Sequence, residues 1–230
     1  MRRIRVGETV LLGDGRGARA TGSVVSVGRD TLDVRIVDRS LVARPTPLVT
    51  LVQALVKGDR GELAVELATE AGVDAVLPWR AARCVARWDD GPRGDRALAR
   101  WRSTALAAAK QSRRAWVPEV GEPLGTRELV TRCATLVASG GLAMVLHECA
   151  DSQLAGVLAV EGRPAGSPAV AGHVAELLLV VGPEGGISEE ELHALSAVGA
   201  RPVRLGPEVL RASTAAAVAM GAIGALTTRW

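Results

Sequence analysis

From residue 48 onward, short apolar runs alternate with longer segments of helical pattern, and this alternation constrains the fold more than any other feature of the sequence. The apolar runs have the length of β-strands, and the run at 177–181 is the most apolar of them. Strands that alternate with helices are typical of a parallel sheet covered by helices. We therefore predict a parallel α/β domain with strands at residues 48–55, 74–78, 142–146, 177–181 and 202–205.

The helices of this domain are predicted from capping signals and from composition. Asp59 with Glu62, and Ser188 with Glu191, have the spacing of capping boxes, so a helix should begin at each pair. The first of these helices should end near Gly72, and further helices should cover 95–114, 126–138 and 213–228. The last one is apolar on every face, which predicts either a central place in the core or burial beneath a partner subunit.

The first 44 residues have a different pattern, with short strands separated by turns. Residues 24–27 are apolar, residues 31–37 alternate between apolar and polar, and glycines at 13 and 15 indicate a turn. This predicts a small β-barrel or an open fragment of one. Pro45 and Pro47 then favour an extended linker, so we predict two domains, at 1–44 and 45–230.

Composition narrows the possible partners. Aromatic residues make up 2% of the chain and all of them are Trp, so the core must consist of Leu, Val and Ala. An RNA-binding sheet that stacks bases on aromatic side chains is therefore nearly excluded. Almost all the positive charge is Arg, which either reflects GC-rich codons or serves phosphate contact, where the guanidinium geometry is favourable. The net charge of +3 fits an RNA partner without requiring one.

The three cysteines and the absence of long apolar stretches bear on the compartment. Cys84, Cys133 and Cys149 are odd in number and have no C-x-x-C spacing, so we expect reduced thiols, no disulfide framework and no metal site. No apolar stretch approaches the ~20 residues that a membrane-spanning helix needs, and no signal peptide is evident. We expect a soluble, cytoplasmic protein without a membrane partner.

Three segments at the ends of predicted strands are candidates for chemistry, because ligand-binding loops of open α/β sheets follow the carboxyl ends of the strands. They are the glycine-rich segment 182–186, the segment 204–214 that ends near Arg211, and the pair His147 and Glu148. The glycine segment matches neither a dinucleotide fingerprint nor a P-loop. Taken singly, these segments also fit a tight turn, a solvated arginine and a surface His–Glu pair. Ser213 or Thr214 suits the N-cap of the last helix, with Arg211 just outside it.

Together, these segments resemble the 16S ribosomal RNA (uracil-N3) methyltransferases of the SPOUT superfamily. The resemblance depends on Gly182-Pro183-Glu184-Gly185-Gly186, on Leu205-Gly206-Pro207 and on Leu210-Arg211, and it extends to residues 52–55, 57–60, 66–73, 82–85 and 111–114. It covers essentially the whole chain. The sequence departs from the family in two places. About a strand and a half that usually precedes the position of Met1 is missing, so either the barrel is incomplete or the start codon is misassigned. Ser213 replaces a Glu that many relatives carry.

The resemblance implies a fold and an activity. The fold is a SPOUT-type parallel sheet with a C-terminal trefoil knot near 180–215, preceded by a PUA-like RNA-binding barrel that is N-terminally incomplete in this sequence. The activity is S-adenosylmethionine-dependent methylation of uracil N3 in 16S rRNA of the small ribosomal subunit. The resemblance also implies a homodimer.

It further implies which residues form the site. The catalytic residues are Arg211, donating to a uracil oxygen, and Glu184, with His147 as a further candidate proton acceptor. The residues that bind S-adenosylmethionine are Leu146, His147, Gly182, Glu184, Gly185, Gly186, Leu205, Gly206, Leu210 and Ser213. The arginines that contact RNA are Arg2, Arg3, Arg5 and Arg16 on the barrel and Arg80, Arg83, Arg113 and Arg114 on the larger domain.

Two other functions stay open on the sequence. One is a SPOUT methyltransferase that acts on transfer RNA or on ribose 2′-oxygens, because one fold supports several targets. The other is an inactive RNA-binding factor in ribosome assembly, which the missing start and Ser213 favour. The complete glycine segment and Arg211 argue for an active enzyme.

Overall fold

The computed structural model describes residues 4–88, 90–161 and 174–230. The chain forms two compact units. The first consists of the residues up to Arg44 together with Arg113–Val117, and the second consists of Pro45–Ser112 and Pro118–Trp230. Arg2 and Arg3, two of the predicted RNA contacts, lie outside the described residues.

The first unit contains an antiparallel sheet of three strands, β1 (Thr9–Gly13), β2 (Ala18–Val27) and β3 (Leu32–Leu41). The prediction of strands separated by turns is confirmed, although β2 and β3 extend beyond the predicted runs. A turn closed by the Gly28 N–H donating to the Thr31 carbonyl (2.9 Å) joins them, and pairing continues on both strands from there. The segment Arg113–Val117 runs along the β1–β2 turn, where its main chain bonds to Gly15 and Gly17.

The second unit is built on a parallel sheet, which confirms the predicted α/β class. Its strands are β4 (Leu48–Ala54), β5 (Ala75–Arg80), β6 (Glu119–Val120), β7 (Leu124–Gly125), β8 (Leu142–Leu146), β9 (Glu176–Val181) and β10 (Arg201–Val203). The order across the sheet is β10-β8-β9-β4-β5-β6, and β7 also pairs with β5. All of these pairings are parallel.

In the part of the chain that the structure describes, six helices accompany the strands: α1 (Arg60–Glu70), α2 (Pro92–Gln111), α3 (Thr126–Ala138), α4 (Leu154–Glu161), α5 (Glu189–Ala197) and α6 (Ala212–Leu226). The bounds of α3 and β8 are the predicted ones. The short elements β6, β7 and α4 were not predicted, because two-residue strands and an eight-residue helix carry little periodicity.

The central strands are covered on both faces, as expected of a parallel sheet. Side chains that alternate along β4, β8 and β9 divide into two apolar clusters. Leu51, Met144 and Leu179 belong to the cluster with residues of α1, α2, α4 and α6. Their neighbours along the same strands, including Val52 and Val180, belong to the cluster with residues of α3 and α5.

Capping was predicted correctly at one helix and wrongly at two. The Ser188 hydroxyl accepts from the Glu191 N–H (3.2 Å) and the Glu191 carboxylate accepts from the Ser188 N–H (3.2 Å), which confirms the capping box. Asp59 precedes α1 but makes no capping bond, because its backbone is helical (φ −80°, ψ 0°) rather than extended, as capping requires. The Glu62 carboxylate instead accepts from the Arg100 guanidinium (2.9 Å).

The start of α6 also differs from the prediction. Arg211, in extended conformation (φ −65°, ψ 145°), occupies the N-cap position, and the helix begins at Ala212. Neither Ser213 nor Thr214 caps the helix, because both lie within its first turn. One side of α6 is buried in the core, whereas Val218 and Leu226 are exposed. No helix in the described ranges is long and apolar enough to cross a membrane.

Candidate functional site

Three loops of the second unit converge on one cavity. They follow β8, β9 and β10, which are neighbours in the sheet and, being parallel, end at the same edge. The cavity that they surround has a volume of about 330 Å³. This is the lower end of the range for small-molecule sites.

The cavity brings together most of the residues predicted for the cofactor site. Those that line it are Leu146, His147, Gly182, Glu184, Gly186, Leu205, Gly206, Leu210 and Ser213, and Arg211, predicted as catalytic, lines it as well. Gly185 is the exception, since it does not line the cavity. Val56 and Arg60 line it and were not predicted. Both residues follow the carboxyl end of β4. They were not predicted because the sequence pattern does not show that β4 lies next to β9 in the sheet.

The glycine loop, residues 182–188, needs its glycines for two different reasons. A Cβ on Gly182 would lie 2.7 Å from Cγ1 of Ile187, closer than packed atoms tolerate. Gly186 has φ +75°, a left-handed conformation that favours glycine. The Gly186 N–H donates to the Pro183 carbonyl (2.9 Å) and closes the turn. The loop therefore presents main-chain groups to the cavity in a fixed shape.

A buried carboxylate anchors the glycine loop to its neighbours. Glu191 is only 5% exposed, and its Oε1 accepts from the Ala82 N–H (2.8 Å) and the Thr126 hydroxyl (2.7 Å). Its Oε2 accepts from the Ser188 N–H at the end of the loop. The indole N–H of Trp79 in turn donates to the Thr126 oxygen (3.2 Å). One side chain thus joins the loop after β5, the start of α3 and the start of α5.

The third loop, residues 204–211, is held by main-chain bonds at one end and by α6 at the other. The Arg204 N–H donates to the Ser152 carbonyl (2.9 Å), and the Arg204 carbonyl accepts from the Leu154 N–H (3.0 Å). At the far end, the Arg211 carbonyl accepts from the main chain at Thr214 and Ala215. Within the described ranges, the Arg211 guanidinium has no hydrogen-bond or ion-pair partner, so it is available to a ligand in the cavity.

The cavity contains charges of both signs. Arg60 Nη1 lies 3.6 Å from Glu184 Oε1, an ion pair too long for a good hydrogen bond and partly open to solvent. Arg204, Glu208 and Arg211 also line the cavity. A ligand that carries both a cationic and an anionic group would find a partner of opposite charge for each.

His147 is oriented by its own turn. Its Nδ1 accepts from the Cys149 N–H (3.3 Å), so the neutral ring carries its proton on Nε2 and is a donor there. To accept a proton at the cavity, the neutral His147 ring would have to lose the hydrogen bond from the Cys149 N–H to Nδ1, because Nε2 already carries a proton. Glu184, an acceptor in its ionised form, has no such constraint.

Two cysteines of the second unit, Cys84 and Cys133, are not prepared for nucleophilic chemistry. Burial raises the pKa of the Cys84 thiol, and it raises the pKa of the Cys133 thiol to about 11. Both are therefore neutral near pH 7, and a neutral thiol is a poor nucleophile and a poor metal ligand. Among the described residues, no group of three or more His, Cys, Asp or Glu side chains could hold a metal ion.

The structure places the predicted RNA-contact arginines in different surroundings. Arg5 and Arg16 are exposed in the first unit. Arg113 and Arg114 also belong to the first unit, which corrects their assignment to the larger domain. The reason is a contact between segments distant in sequence: the Arg113 carbonyl accepts from the Arg19 guanidinium, and the segment pairs with the β1–β2 turn. In the second unit, Arg80 pairs with Asp90 (3.2 Å), and Arg83 donates to the Gly185 carbonyl (3.3 Å).

Comparison with known sequences gives consistent matches over nearly the whole chain. Residues 44–224 match the family model of an RNA methyltransferase domain. Ribosomal RNA small subunit methyltransferase E of Mycobacterium bovis is 53% identical over 230 residues, which are 100% of this chain and 83% of that protein. The protein of the same name from Bacillus subtilis is 30% identical over 225 residues, covering 96% of this chain and 83% of that one.

Solved structures agree with these matches. The crystal structure of ribosomal RNA small subunit methyltransferase E from Neisseria gonorrhoeae, bound to S-adenosyl methionine, superposes with a TM-score of 0.79 at 27% identity. The match covers 97% of this chain and 85% of that chain. A Legionella pneumophila protein in complex with the bound cofactor SAM gives a TM-score of 0.77 at 29% identity, covering 96% of this chain and 84% of that one.

Proposed function

The chain belongs to the RNA methyltransferase family that includes ribosomal RNA small subunit methyltransferase E, and from this premise we propose that it methylates N3 of a uracil in small-subunit rRNA. S-adenosylmethionine-dependent methylation of 16S rRNA is the activity of the enzyme. The choice of uracil N3 derives from the resemblance, in which the PUA-like barrel and the signatures at residues 52–85 accompany the two loop motifs. The observation that carries the proposal is the convergence of the loops after β8, β9 and β10 on one cavity.

The cavity fits S-adenosylmethionine in shape and in charge. Apolar side chains from the three loops, among them Leu146, Leu205 and Leu210, suit the adenine ring. Glycines at 182, 186 and 206 expose main-chain groups that hydrogen-bond without long side chains. The cofactor carries two cationic groups, an ammonium and a sulfonium, and an anionic carboxylate. Among the residues that line the cavity, Glu184 and Glu208 have the charge to pair with the cationic groups, and Arg60 and Arg204 have the charge to pair with the carboxylate.

In the proposed reaction, Arg211 stabilises the negative charge that develops on the uracil ring. S-adenosylmethionine supplies a methyl group activated by the sulfonium. As the carbon–sulfur bond breaks and the bond to N3 forms, the uracil ring must lose its N3 proton, and negative charge spreads to its carbonyl oxygens. Arg211 projects from the extended N-cap of α6 beside the cavity, with a guanidinium free to donate to such an oxygen.

The N3 proton needs an acceptor, and Glu184 is the candidate that the geometry supports. It lines the cavity from the glycine loop, and Arg60 holds it from the start of α1. His147 is the weaker candidate, because its Nδ1 is already occupied by the Cys149 N–H. A carboxylate that accepts the N3 proton and an arginine that stabilises the uracil anion can act together. Each lowers part of the free-energy barrier to methyl transfer.

The polypeptide in the second unit is threaded as a trefoil knot in this proposal, as in other SPOUT enzymes. The main-chain bonds of Arg204 to Ser152 and Leu154 support it, because they place the chain after β10 alongside the chain after β8. The short strand β10 also lies beside β8 and not beside its sequence neighbour β9, so the connection through α5 passes over β8.

The first unit acts as the PUA-like RNA-binding domain, and the second as the methyltransferase domain. The antiparallel sheet of the first unit supports this, as does its excess of arginine at the β1–β2 turn. Arg16, Arg19 and Arg113 are grouped there by the pairing of the two segments, and Arg44 stacks on the Trp116 ring at 4.4 Å. Guanidinium groups at such density suit phosphate contacts. Arg5 and Arg80 are further contacts on each unit.

The active form is a homodimer in this proposal. The exposed side of α6 supports it, because Val218 and Leu226 leave apolar surface in contact with water on a helix that borders the cavity. Small residues along the same side would allow a second helix to approach closely. Sedimentation of the wild-type protein at micromolar concentration measures the molecular mass. The homodimer predicts twice the mass of one chain, and the mass of a single chain would contradict it.

The activity is tested by incubating the protein with isotopically labelled S-adenosylmethionine and small ribosomal subunits, followed by mass spectrometry of the nucleosides. We expect 3-methyluridine in the small-subunit RNA. Label on a ribose 2′-oxygen or in transfer RNA would contradict the proposed target and support a different SPOUT activity. Failure of the folded protein to bind S-adenosylmethionine in calorimetry would instead support the inactive assembly factor.

RNA binding is tested separately by measuring affinity for a small-subunit RNA fragment at several salt concentrations. Neutralisation of phosphates by arginines releases counterions, so the affinity should fall steeply between 50 and 200 mM salt, by about 10³-fold if six or so phosphates are contacted. A flat dependence would contradict the arginine contacts.

A further inference from the structure

Arg83 lies against the glycine loop from the side that does not face the cavity. Its Nη1 donates to the Gly185 carbonyl at 3.3 Å. Gly185 is the one glycine of the loop that does not line the cavity, and its carbonyl is directed to Arg83 instead. The sequence had suggested that Arg83 contacts RNA, and nothing in the pattern of arginines distinguishes it from Arg80.

The contact is close along the main chain as well as through the guanidinium. A Cβ on Gly185 would lie 3.2 Å from the Arg83 carbonyl oxygen and 3.3 Å from Arg83 Cβ. These distances are tighter than ordinary packing, so a side chain at residue 185 would require Arg83 or the loop to shift by a few tenths of an ångström. The constraint comes from the contact with Arg83, since φ at Gly185 is not left-handed.

The segment that carries Arg83 is itself fixed. The Ala82 N–H donates to the buried Glu191 carboxylate (2.8 Å), and the Cys84 N–H donates to the Ala81 carbonyl (3.1 Å) in a tight turn. Glu191 also holds the Ser188 N–H at the far end of the glycine loop. The Glu191 carboxylate therefore fixes both the segment that carries Arg83 and the end of the glycine loop.

A second charge lies near Arg83 beyond the loop. Hydrogen bonds from its own N–H and from the Ser188 hydroxyl lower the pKa of the exposed Glu190 carboxyl, and the charge of Arg83 contributes in the same direction. The Arg83 guanidinium therefore has the Gly185 carbonyl as its acceptor and lies in the field of the Glu190 carboxylate, which has the opposite charge.

We propose that Arg83 is a positioning residue for the cofactor, which holds the glycine loop in its binding conformation by tying the Gly185 carbonyl to the segment after β5. The proposal rests on the proposed function, because it takes S-adenosylmethionine to bind the cavity face of this loop. It predicts that removing the guanidinium weakens cofactor binding in the absence of any RNA. An RNA contact would have no such effect.

The test is calorimetric titration of S-adenosylmethionine into Arg83→Ala, Arg83→Lys and wild type, without RNA. We expect the Kd to rise about 5- to 10-fold in Arg83→Ala, the size of one charge-assisted hydrogen bond at a partly exposed position. Arg83→Lys, which keeps a cationic donor, should recover part of the loss. Arg80→Ala is the matched control, because it removes an exposed arginine of the same segment that pairs with Asp90 and not with the loop.

Steady-state kinetics provides a second readout. In Arg83→Ala, the KM for S-adenosylmethionine should rise while the KM for RNA stays unchanged. Gly185→Ala should also weaken cofactor binding, because its methyl group displaces the loop from Arg83. The double variant should be little worse than the poorer single variant, since both changes release the same contact.

Each outcome decides between named alternatives. Unchanged cofactor affinity in Arg83→Ala, with weakened RNA binding, would overturn the inference and return Arg83 to the RNA surface. Equal loss in Arg80→Ala would overturn it too, by showing a general charge effect. If wild type itself did not bind S-adenosylmethionine, the proposed function would fail.

Discussion

At the scale of single residues, the site combines groups that act by their charge with groups that act by having no side chain. Arg211 belongs to the first kind, since its guanidinium borders the cavity and has no partner among the described residues. Gly182 and Gly186 belong to the second kind, because a Cβ on either would clash or strain the backbone. The two kinds should respond differently to substitution.

Replacing Arg211 should affect turnover more than cofactor binding. In Arg211→Ala we expect kcat to fall about 100-fold or more, as for removal of one donor to a developing oxyanion, with the S-adenosylmethionine Kd changed less than threefold. Single-turnover kinetics and calorimetry measure the two quantities. Arg132→Ala, which removes an exposed arginine of α3 that does not line the cavity, is the control. Losses of equal size in kcat and in affinity would make Arg211 a binding residue.

Substituting Gly182 should have the opposite signature. The side chain of Gly182→Val would occupy the space next to Ile187, displace the glycine loop and abolish detectable cofactor binding in calorimetry. Gly156→Ala is a matched control, since a Cβ there meets nothing within 4 Å and alanine favours a helix. A surface control is Glu66→Ala on α1. Loss of binding in either control would argue against a specific role for the loop.

At the scale of elements, Glu191 is the residue on which the arrangement of α3, α5 and the loop after β5 depends. Glu191→Ala leaves the buried Ser188 N–H and the partly buried Ala82 N–H and Thr126 hydroxyl without their acceptor. Unsatisfied buried donors cost about 1–3 kcal/mol each, so we expect the free energy of unfolding to fall by about 3 kcal/mol. Denaturant unfolding measures it.

The neighbouring glutamates provide the comparison for this prediction. Glu189→Gln changes an exposed residue in the same first turn of α5 and should cost no more than about 0.5 kcal/mol. A similar loss in both variants would indicate that the helix dipole, and not the buried carboxylate, accounts for the effect.

At the scale of the whole second unit, Arg229, which follows α6, bonds to residues that lie just before β4 and β5. Arg229 Nη1 lies 2.8 Å from Asp74 Oδ2, and the two side chains are 2% and 8% exposed. Arg229 also donates to the carbonyls of Pro47 and Gly72, while Asp74 accepts from the Val49 N–H. These bonds join residues just before β4, the connection between α1 and β5, and the residues after α6.

Removing one partner of this pair should be costly. Because Arg229→Ala leaves a buried carboxylate without its cation, we expect the free energy of unfolding to fall by about 3–5 kcal/mol, with little dependence on salt. The control is Glu122→Ala, whose ion pair with Arg102 is mostly exposed and should be worth at most about 1 kcal/mol. Equal effects of the two substitutions would show that the buried pair adds nothing particular.

Several features of this protein follow from the sequence alone because they are local. The alternation of strands and helices, the capping box at Ser188 and Glu191, and the glycine motif after the most apolar strand all depend on residues within a few positions of each other. The same motifs carried the resemblance to the RNA methyltransferases, since a glycine loop between a buried strand and a capped helix is readable without coordinates.

What only the tertiary structure decided is which distant segments meet. The pairing of β10 with β8 and of β4 with β9 determines that Arg60 and Val56 line the cavity, and no local pattern encodes those neighbours. The same is true of Arg83 against Gly185 and of residues 113–117 in the first unit. The physical reason is that strand order and side-chain contacts arise from burial and hydrogen bonding between residues far apart in the chain, whereas periodicity and capping report only on near neighbours.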